Sequence, residues 1–361
     1  MYFDPGVKER REDFFNFNEE LNTLIKELNN QSTRMIVIKG VRRTGKSSLI
    51  RVGLSMSGLP HVILDARKFE YFSVDTFYDM LASSLSKLLE TRKSVSKYLK
   101  SVKGVSISGL TLEFSFRGSW TFTEVLEALN KWGEECGEPI VLAFDEAQDF
   151  LIFPRFDSLL AHVYDYLSYV KLVLAGSEVG LLDRLLGVKK VKAPLSGRPY
   201  TTIVMKRLSR EEAIEFLREG FRQAGVTINE VFLEDAVSVF DGVIGWLTYY
   251  GYQALRVGHE EAITKTLEEG SKLVQEELEN FLSIRPQART RYLTILKLLT
   301  TPLTWSEVKA GLSAKLKKTI SDKQLTHYLR ELVNYGFVEK INSEYVIADP
   351  VLKSAARGLR I

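Results

Sequence analysis

Gly40, Gly45, Lys46 and Ser47, in the run GVRRTGKSS at residues 40–48, are the residues whose types and spacing speak most directly of chemistry. Two glycines with four residues between them let backbone N–H groups close around phosphate oxygens, with Val41, Arg42, Arg43 and Thr44 supplying the intervening amides and Ser48 continuing into the next element. Lys46 can reach the β- and γ-phosphates of a nucleotide as a point charge, and the Ser47 hydroxyl suits Mg²⁺. The expected ligands are ATP or ADP with Mg²⁺. Roughly 100 residues later the apolar run IVLAF ends in Asp145 and Glu146. Asp145 would hold Mg²⁺, directly or through water, and Glu146 would polarise an attacking water. Ser177, closing KLVLAGS, could sense the γ-phosphate or position that water. Arg198, in PLSGRPY on a loop after the last core strand, could neutralise transition-state charge. Gln148 could touch the water or a neighbour. Each has a plainer alternative: a helix cap for Asp145 and Glu146 or for Ser177, a solvated loop residue for Arg198.

These residues need a scaffold, and the surrounding sequence reads as one. MIVIKG and HVILDAR are continuous β-branched runs suited to strands buried on both faces, and GVRRTGKSSLIRVGL between them turns from loop into helix with Leu49, Ile50 and Leu54 on one face. Strand, helix, strand implies a parallel sheet with right-handed crossovers, whose C-terminal edge is where ligands sit. EELNTLIKELNN predicts a helix before the first strand. Residues 74–100 predict another, VSISGLTLEFSF a hairpin about Ser108 and Gly109, and PIVLAFDEAQDF and YVKLVLAGSE further core strands. From 206 to 283 only helical patterns occur, with Ser209 and Glu212 spaced as a capping box. Three short helices and two strands about Asn342 then describe a winged helix. The expected architecture is an α/β P-loop core over residues 1–205, an α-helical lid over 206–283 and a winged-helix domain over 284–361.

Composition removes several other classes. With 45% hydrophobic and 26% charged residues the chain has ordinary globular composition, and no apolar run approaches the roughly 18 residues of a membrane span. The opening MYFDPGVKERREDFF shows no apolar stretch behind its charges, so the cytoplasm is the expected compartment. One cysteine, Cys136, cannot form an internal disulfide, and His61, His162, His259 and His327 lie too far apart to suggest a zinc or iron site. Net charge is +3 but uneven: residues 285–361 carry 14 Lys+Arg against 6 Asp+Glu, which leaves 35 against 40 for the rest. A basic module on a mildly acidic body points to nucleic acid.

Taken together, GVRRTGKSSLI, FDEAQ at 144–148, LAGSEVGLL at 174–182 and PLSGRPY at 194–200 resemble the archaeal ATPase family, close to the STAND group of AAA-related P-loop ATPases. The paired arginines Arg42 and Arg43 are its most specific mark. The resemblance implies an AAA-like parallel sheet core, a helical lid and a C-terminal winged helix, with Arg198 as a nucleotide-sensing or finger arginine acting in cis or on a neighbouring subunit. It also implies base contacts from Asp13 to Phe17 in RREDFFNFNEEL, and VIADP at 346–350 is similar to the family's closing strand. One departure stands out: the family's Gly-Gly-x-Pro segment in the lid reads Gly242, Val243, Ile244, Gly245 here, so proline's fixed φ is lost.

Two functions follow as expectations. One is a slow, Mg-dependent ATPase acting as a nucleotide-dependent molecular switch. The other is an ATPase that contacts duplex DNA through Lys315, Lys317, Lys318, Lys323 and Arg330 of the winged helix, which could instead bind a protein or pack within the chain. Oligomeric state is left open, and a membrane partner is not expected.

Overall fold

In the computed structural model, which describes residues 1–68, 73–188 and 192–358, a wall of residues 1–17 leads into α1 (Asn18–Asn29), β1 (Met35–Lys39), α2 (Lys46–Ser57) and β2 (His61–Asp65). An excursion follows, made of α3 (Val74–Thr91), α4 (Val95–Leu99), the hairpin β3 (Val105–Ser108) and β4 (Thr111–Phe114), and α5 (Ser119–Cys136). The core resumes with β5 (Ile140–Asp145), α6 (Phe156–Tyr166), β6 (Val170–Gly176), α7 (Val179–Leu185) and β7 (Thr201–Val204).

The five core strands lie in the order β2-β5-β6-β1-β7, every neighbouring pair parallel. Alternate residues of β1 feed two separate cores: Ile36 and Ile38 pack with Leu49 and Ile50 of α2, whereas Met35 and Val37 join the cluster of α3 and α5. A run apolar at every position is what a strand covered on both faces requires. Gly53 of α2 lets α1 approach closely, since a Cβ there would lie 2.5 Å from Leu24 Cδ2.

Two expectations need correction. The helix expected over 74–100 is two helices, because the chain breaks at Arg92, whose guanidinium is held by Glu138 at 2.8 and 3.1 Å. The break turns the fully buried Val95 and Leu99 onto α5. Arg198 also precedes the last core strand rather than following it. That strand, β7, has four residues and pairs only with β1, too short an edge strand to show periodicity in sequence.

Four helices come next: α8 (Arg210–Gln223), α9 (Glu230–Phe240), α10 (Ile244–Val257) and α11 (His259–Ser283). Ser209 and Glu212 form the expected capping box on α8. After them α12 (Arg289–Leu298), β8 (Leu303–Thr304), α13 (Trp305–Leu316), α14 (Asp322–Asn334), β9 (Val338–Ile341) and β10 (Glu344–Ile347) make the winged helix, its sheet ordered β8-β10-β9. A last helix, α15 (Pro350–Ala356), packs back on α11. Residues 359–361 of the basic stretch lie outside the described residues.

The C-terminal end of α14 is seated on the core. A Cβ at Gly180 would lie 2.5 Å from Asn334 Cα, and one at Gly336 3.0 Å from the Ser177 carbonyl oxygen. Among the described residues, no helix is long and apolar enough to cross a membrane.

Candidate active site

A cleft of about 410 Å³ opens above the C-terminal edge of the sheet. One side is the loop between β1 and α2, the other the wall of residues 1–17 and the start of α10. Gly40 is required where the loop leaves β1, since a Cβ there would meet the Met205 carbonyl oxygen at 2.5 Å. Gly45 caps α2 at φ +92°, a left-handed conformation that favours glycine. Thr44 Oγ1 donates to the Val41 carbonyl at 2.9 Å, closing the turn. Lys46 is buried, its Nζ donating to the carbonyls of Gly40 at 2.9 Å and Val41 at 2.8 Å. Burial pushes its ammonium below the ordinary lysine value, with Glu146 and Asp145 opposing.

The acids stand opposite. Asp145 ends β5, 2% exposed, with Oδ2 2.6 Å from Arg67 Nη2 and Oδ1 lacking a hydrogen-bond partner among the described residues. Burial pushes its carboxyl up while Arg67 draws it back. Glu146 is left-handed at φ +54°, a conformation that costs a non-glycine residue roughly 1–3 kcal/mol and turns its side chain across to β6. There Oε2 accepts from the Ser177 N–H at 2.9 Å, the Ser177 hydroxyl at 2.7 Å and Gln148 Nε2 at 2.7 Å. Burial works against its ionisation, but Lys46, Gln148 and Ser177 outweigh it and hold the carboxyl at about 2. Glu146 is therefore a carboxylate across the neutral range.

Of the residues singled out in the sequence, Arg42, Arg43, Gly45, Lys46, Ser47, Ser48 and Glu146 line the cleft, with Asp145, Gln148 and Ser177 directly behind them. Ser48 Oγ accepts from the Lys8 amide at 3.0 Å, tying the wall to α2. Asp13, Phe14, Phe15 and Phe17 line the cleft, while Asn16 turns to Glu212 at 2.7 Å. Arg198 does not join them. It is paired with Asp165 of α6 at 2.9 and 2.5 Å and is absent from the cleft's lining. This geometry does not support action in its own chain's site.

Arg42 and Arg43 face away from the loop's interior. Arg42 donates to Glu178 at 2.7 Å and to the Tyr335 carbonyl at 3.0 Å, and its Nε lies 3.5 Å from Glu277. Arg43 donates to Glu277 at 2.8 Å, reaches Asp349 at 3.4 Å and lies over the Trp246 ring at 4.3 Å. Glycine at 245 has its reason here too. Its N–H donates to the Arg43 carbonyl at 2.9 Å, a bond proline could not make, and a Cβ would lie 2.7 Å from Arg43 Cβ.

Sequence reasoning missed Arg67, Glu277, Asp349 and the aromatic residues Tyr2 and Trp246. Arg67, two residues past the end of β2, gave no signal in sequence alone, because its place beside Asp145 depends on β2 pairing with β5. Glu277 sits among many acids of α11 and carried none.

The residues present fit a divalent cation. An arginine nitrogen already stands between Ser47 Oγ, at 2.8 Å, and Asp145 Oδ2, at 2.6 Å, and Asp145 keeps one buried oxygen without a partner among the described residues. Among the described residues no group of three or more His, Cys, Asp and Glu side chains forms a metal site by itself. Ligands would thus have to include the Ser47 hydroxyl and the substrate's own phosphates.

Comparison with known proteins agrees with this fold. Residues 14–249 match the family described as an ATPase domain predominantly from Archaea, and residues 286–348 match the MCM protein C-terminal winged helix-turn-helix domain. The solved Walker-type ATPase PABY2304 of Pyrococcus abyssi is 32% identical at a TM-score of 0.82, over 99% of this chain and 100% of that one. The ORC2 protein of Aeropyrum pernix, solved as ADPNP-ADP complexes, has the same fold at a TM-score of 0.61 with 16% identity over 98% of each chain. No curated protein matches. With residues 14–249 matched and a solved relative 32% identical over 99% of its length, the chain belongs to the family of ATPase domains found predominantly in Archaea.

Proposed function

We propose that this protein binds and hydrolyses ATP with Mg²⁺ and works as a nucleotide-dependent molecular switch. The observation that carries the switch is the outward reach of Arg42 and Arg43: a phosphate-binding loop that bonds Glu277 of α11, the Tyr335 carbonyl after α14 and Asp349 before α15 cannot change shape without disturbing all three. In this reading residues 1–205 are the ATPase core, 206–283 the lid and 284–361 the winged-helix domain. Amides of Gly40 to Ser48 hold the phosphates, and Lys46 exchanges its carbonyl partners for phosphate oxygens. Ser47 and Asp145 would hold Mg²⁺, which when bound would neutralise phosphate charge. Glu146, ionised and aimed by Ser177 and Gln148, accepts a proton from the attacking water. Arg198, held by Asp165 and outside the cleft's lining, would act on a neighbouring copy.

Steady-state ATP hydrolysis by the purified chain tests this. Lys46→Ala should abolish nucleotide binding. Full turnover in that variant would sink the assignment.

One observation favours a second reading, contact with duplex DNA. Lys315, Lys317, Lys318 and Lys323 are exposed and take part in no ion pair among the described residues, and Arg330 is exposed on α14. The C-terminal end of α14 is docked on the core, while Lys323, Thr326, His327 and Arg330 along the helix are exposed. Duplex affinity should fall steeply with salt, and Lys317→Glu with Lys318→Glu should flatten the slope by about 2. No binding at low salt would eliminate this reading.

A further inference from the structure

We infer that Arg67 is a placeholder cation: its guanidinium joins the two oxygens that would hold magnesium, Ser47 Oγ and Asp145 Oδ2, and so allows the cleft to take a nucleoside diphosphate without the metal. The inference rests on the reading of the loop as a nucleotide site and concerns a residue that reading does not use.

Three oxygens converge on one nitrogen. Arg67 Nη2 lies 2.9 Å from Asp65 Oδ2, 2.8 Å from Ser47 Oγ and 2.6 Å from Asp145 Oδ2, while its Nε is held by Asp65 Oδ1 at 2.9 Å. Asp65 thus fixes the plane of the guanidinium in two-point fashion and aims its remaining edge at the site. The nitrogen carries two hydrogens for three oxygens, so charge rather than hydrogen-bond count sets the arrangement. A guanidinium cannot shed its proton in a protein, and its charge is present whether or not a metal is. Asp145, almost wholly buried, needs such a counter-charge, because an unpaired carboxylate at that depth is unfavourable.

Arg67 is also built to leave. Its side chain is 45% exposed and stands on a short turn after β2, with solvent on one side to swing into. A divalent cation and Nη2 cannot both occupy the space between the same two oxygens. Metal and Arg67 therefore exclude one another, and a nucleotide finds positive charge beside its phosphates in either case. By linkage, the factor by which metal strengthens nucleotide binding is smaller with Arg67 than without it.

The test is ADP binding to the full chain by calorimetry, in excess EDTA and in saturating magnesium. Wild type should bind ADP in EDTA within about tenfold of its magnesium affinity, and Arg67→Gln should lose about tenfold or more in EDTA while holding or gaining affinity in magnesium. Arg67→Lys, which keeps the charge, should retain much of the EDTA affinity. If Arg67→Gln weakens both conditions alike, Arg67 is an ordinary phosphate contact and the inference fails; it fails equally if neither changes. Should Arg67→Gln not fold, Asp65→Asn releases the clamp with Arg67 in place and should lower EDTA affinity selectively, and no selectivity there overturns the inference. Wild type that binds no ADP in either condition removes the nucleotide reading and this inference with it, whereas wild type that binds alongside an indistinguishable Arg67→Gln removes the inference alone.

Discussion

Glu146 shows how a single residue is prepared. Its left-handed backbone directs the carboxylate onto the Ser177 N–H and hydroxyl and the Gln148 amide, three donors that fix both charge and direction. Glu146→Gln keeps the shape and removes the basicity, so nucleotide binding should persist while hydrolysis falls by about 10²-fold or more. Retained turnover would assign the proton acceptor elsewhere. Asp149, nearby, is the opposite case. Burial, then repulsion from Glu146 and Glu178, pushes it up to about 7. A carboxyl whose pKa is raised on folding binds its proton more tightly in the folded state. Its stabilising contribution is complete at acid pH and is lost as pH rises through about 7. Asp149→Asn should accordingly raise the denaturation midpoint above about pH 8 and leave it unchanged near about pH 4, read by urea titration at both. The phosphate loop was legible in sequence because its chemistry needs glycines and a lysine at fixed spacing. Arg67 was not, because a lone arginine after a strand shows its purpose only once β2 and β5 are neighbours.

Among the elements, the wall of residues 1–17 depends on small residues elsewhere. Phe3 is seated between α8 and α10, where a Cβ at Gly220 would lie 2.3 Å from its ring and one at Gly251 2.4 Å. Tyr2 stacks on Phe216 at 5.6 Å, and Phe15 meets the same ring edge-on at 5.3 Å. Phe3→Ala should cost about 3–5 kcal/mol, and it should weaken nucleotide binding by loosening the wall. A variant with reduced stability and unchanged affinity would uncouple wall from cleft. Long apolar strands and capped helices were readable because period and caps are local properties. The break at Arg92 and the strand β7 were not: one coincides with a pairing to a distant glutamate, Glu138, and the other depends on pairing with β1.

At the scale of the whole molecule, Glu277 is the junction. One carboxylate receives both loop arginines, and Asp349, which takes the second of them, also accepts the Trp246 indole N–H at 3.0 Å and caps α15. Glu277→Gln should leave nucleotide affinity near wild type while abolishing any nucleotide-dependent change in amide exchange at the end of α14 and along β9. An undiminished response would place the coupling elsewhere. The winged helix itself was legible from three helices and a hairpin; its docking was not, since it turns on the bare backbones of Gly180 and Gly336.

The socket around Phe3 has one more consequence, and it concerns time. The wall that encloses one end of the cleft is fastened to α8 and α10, so a movement of those helices would carry the wall with it. In the proposed nucleotide site, release would then need one unfastening instead of separate escapes of ring and phosphates. The dwell of the loaded protein should then depend on that latch as well as on how tightly the loop grips.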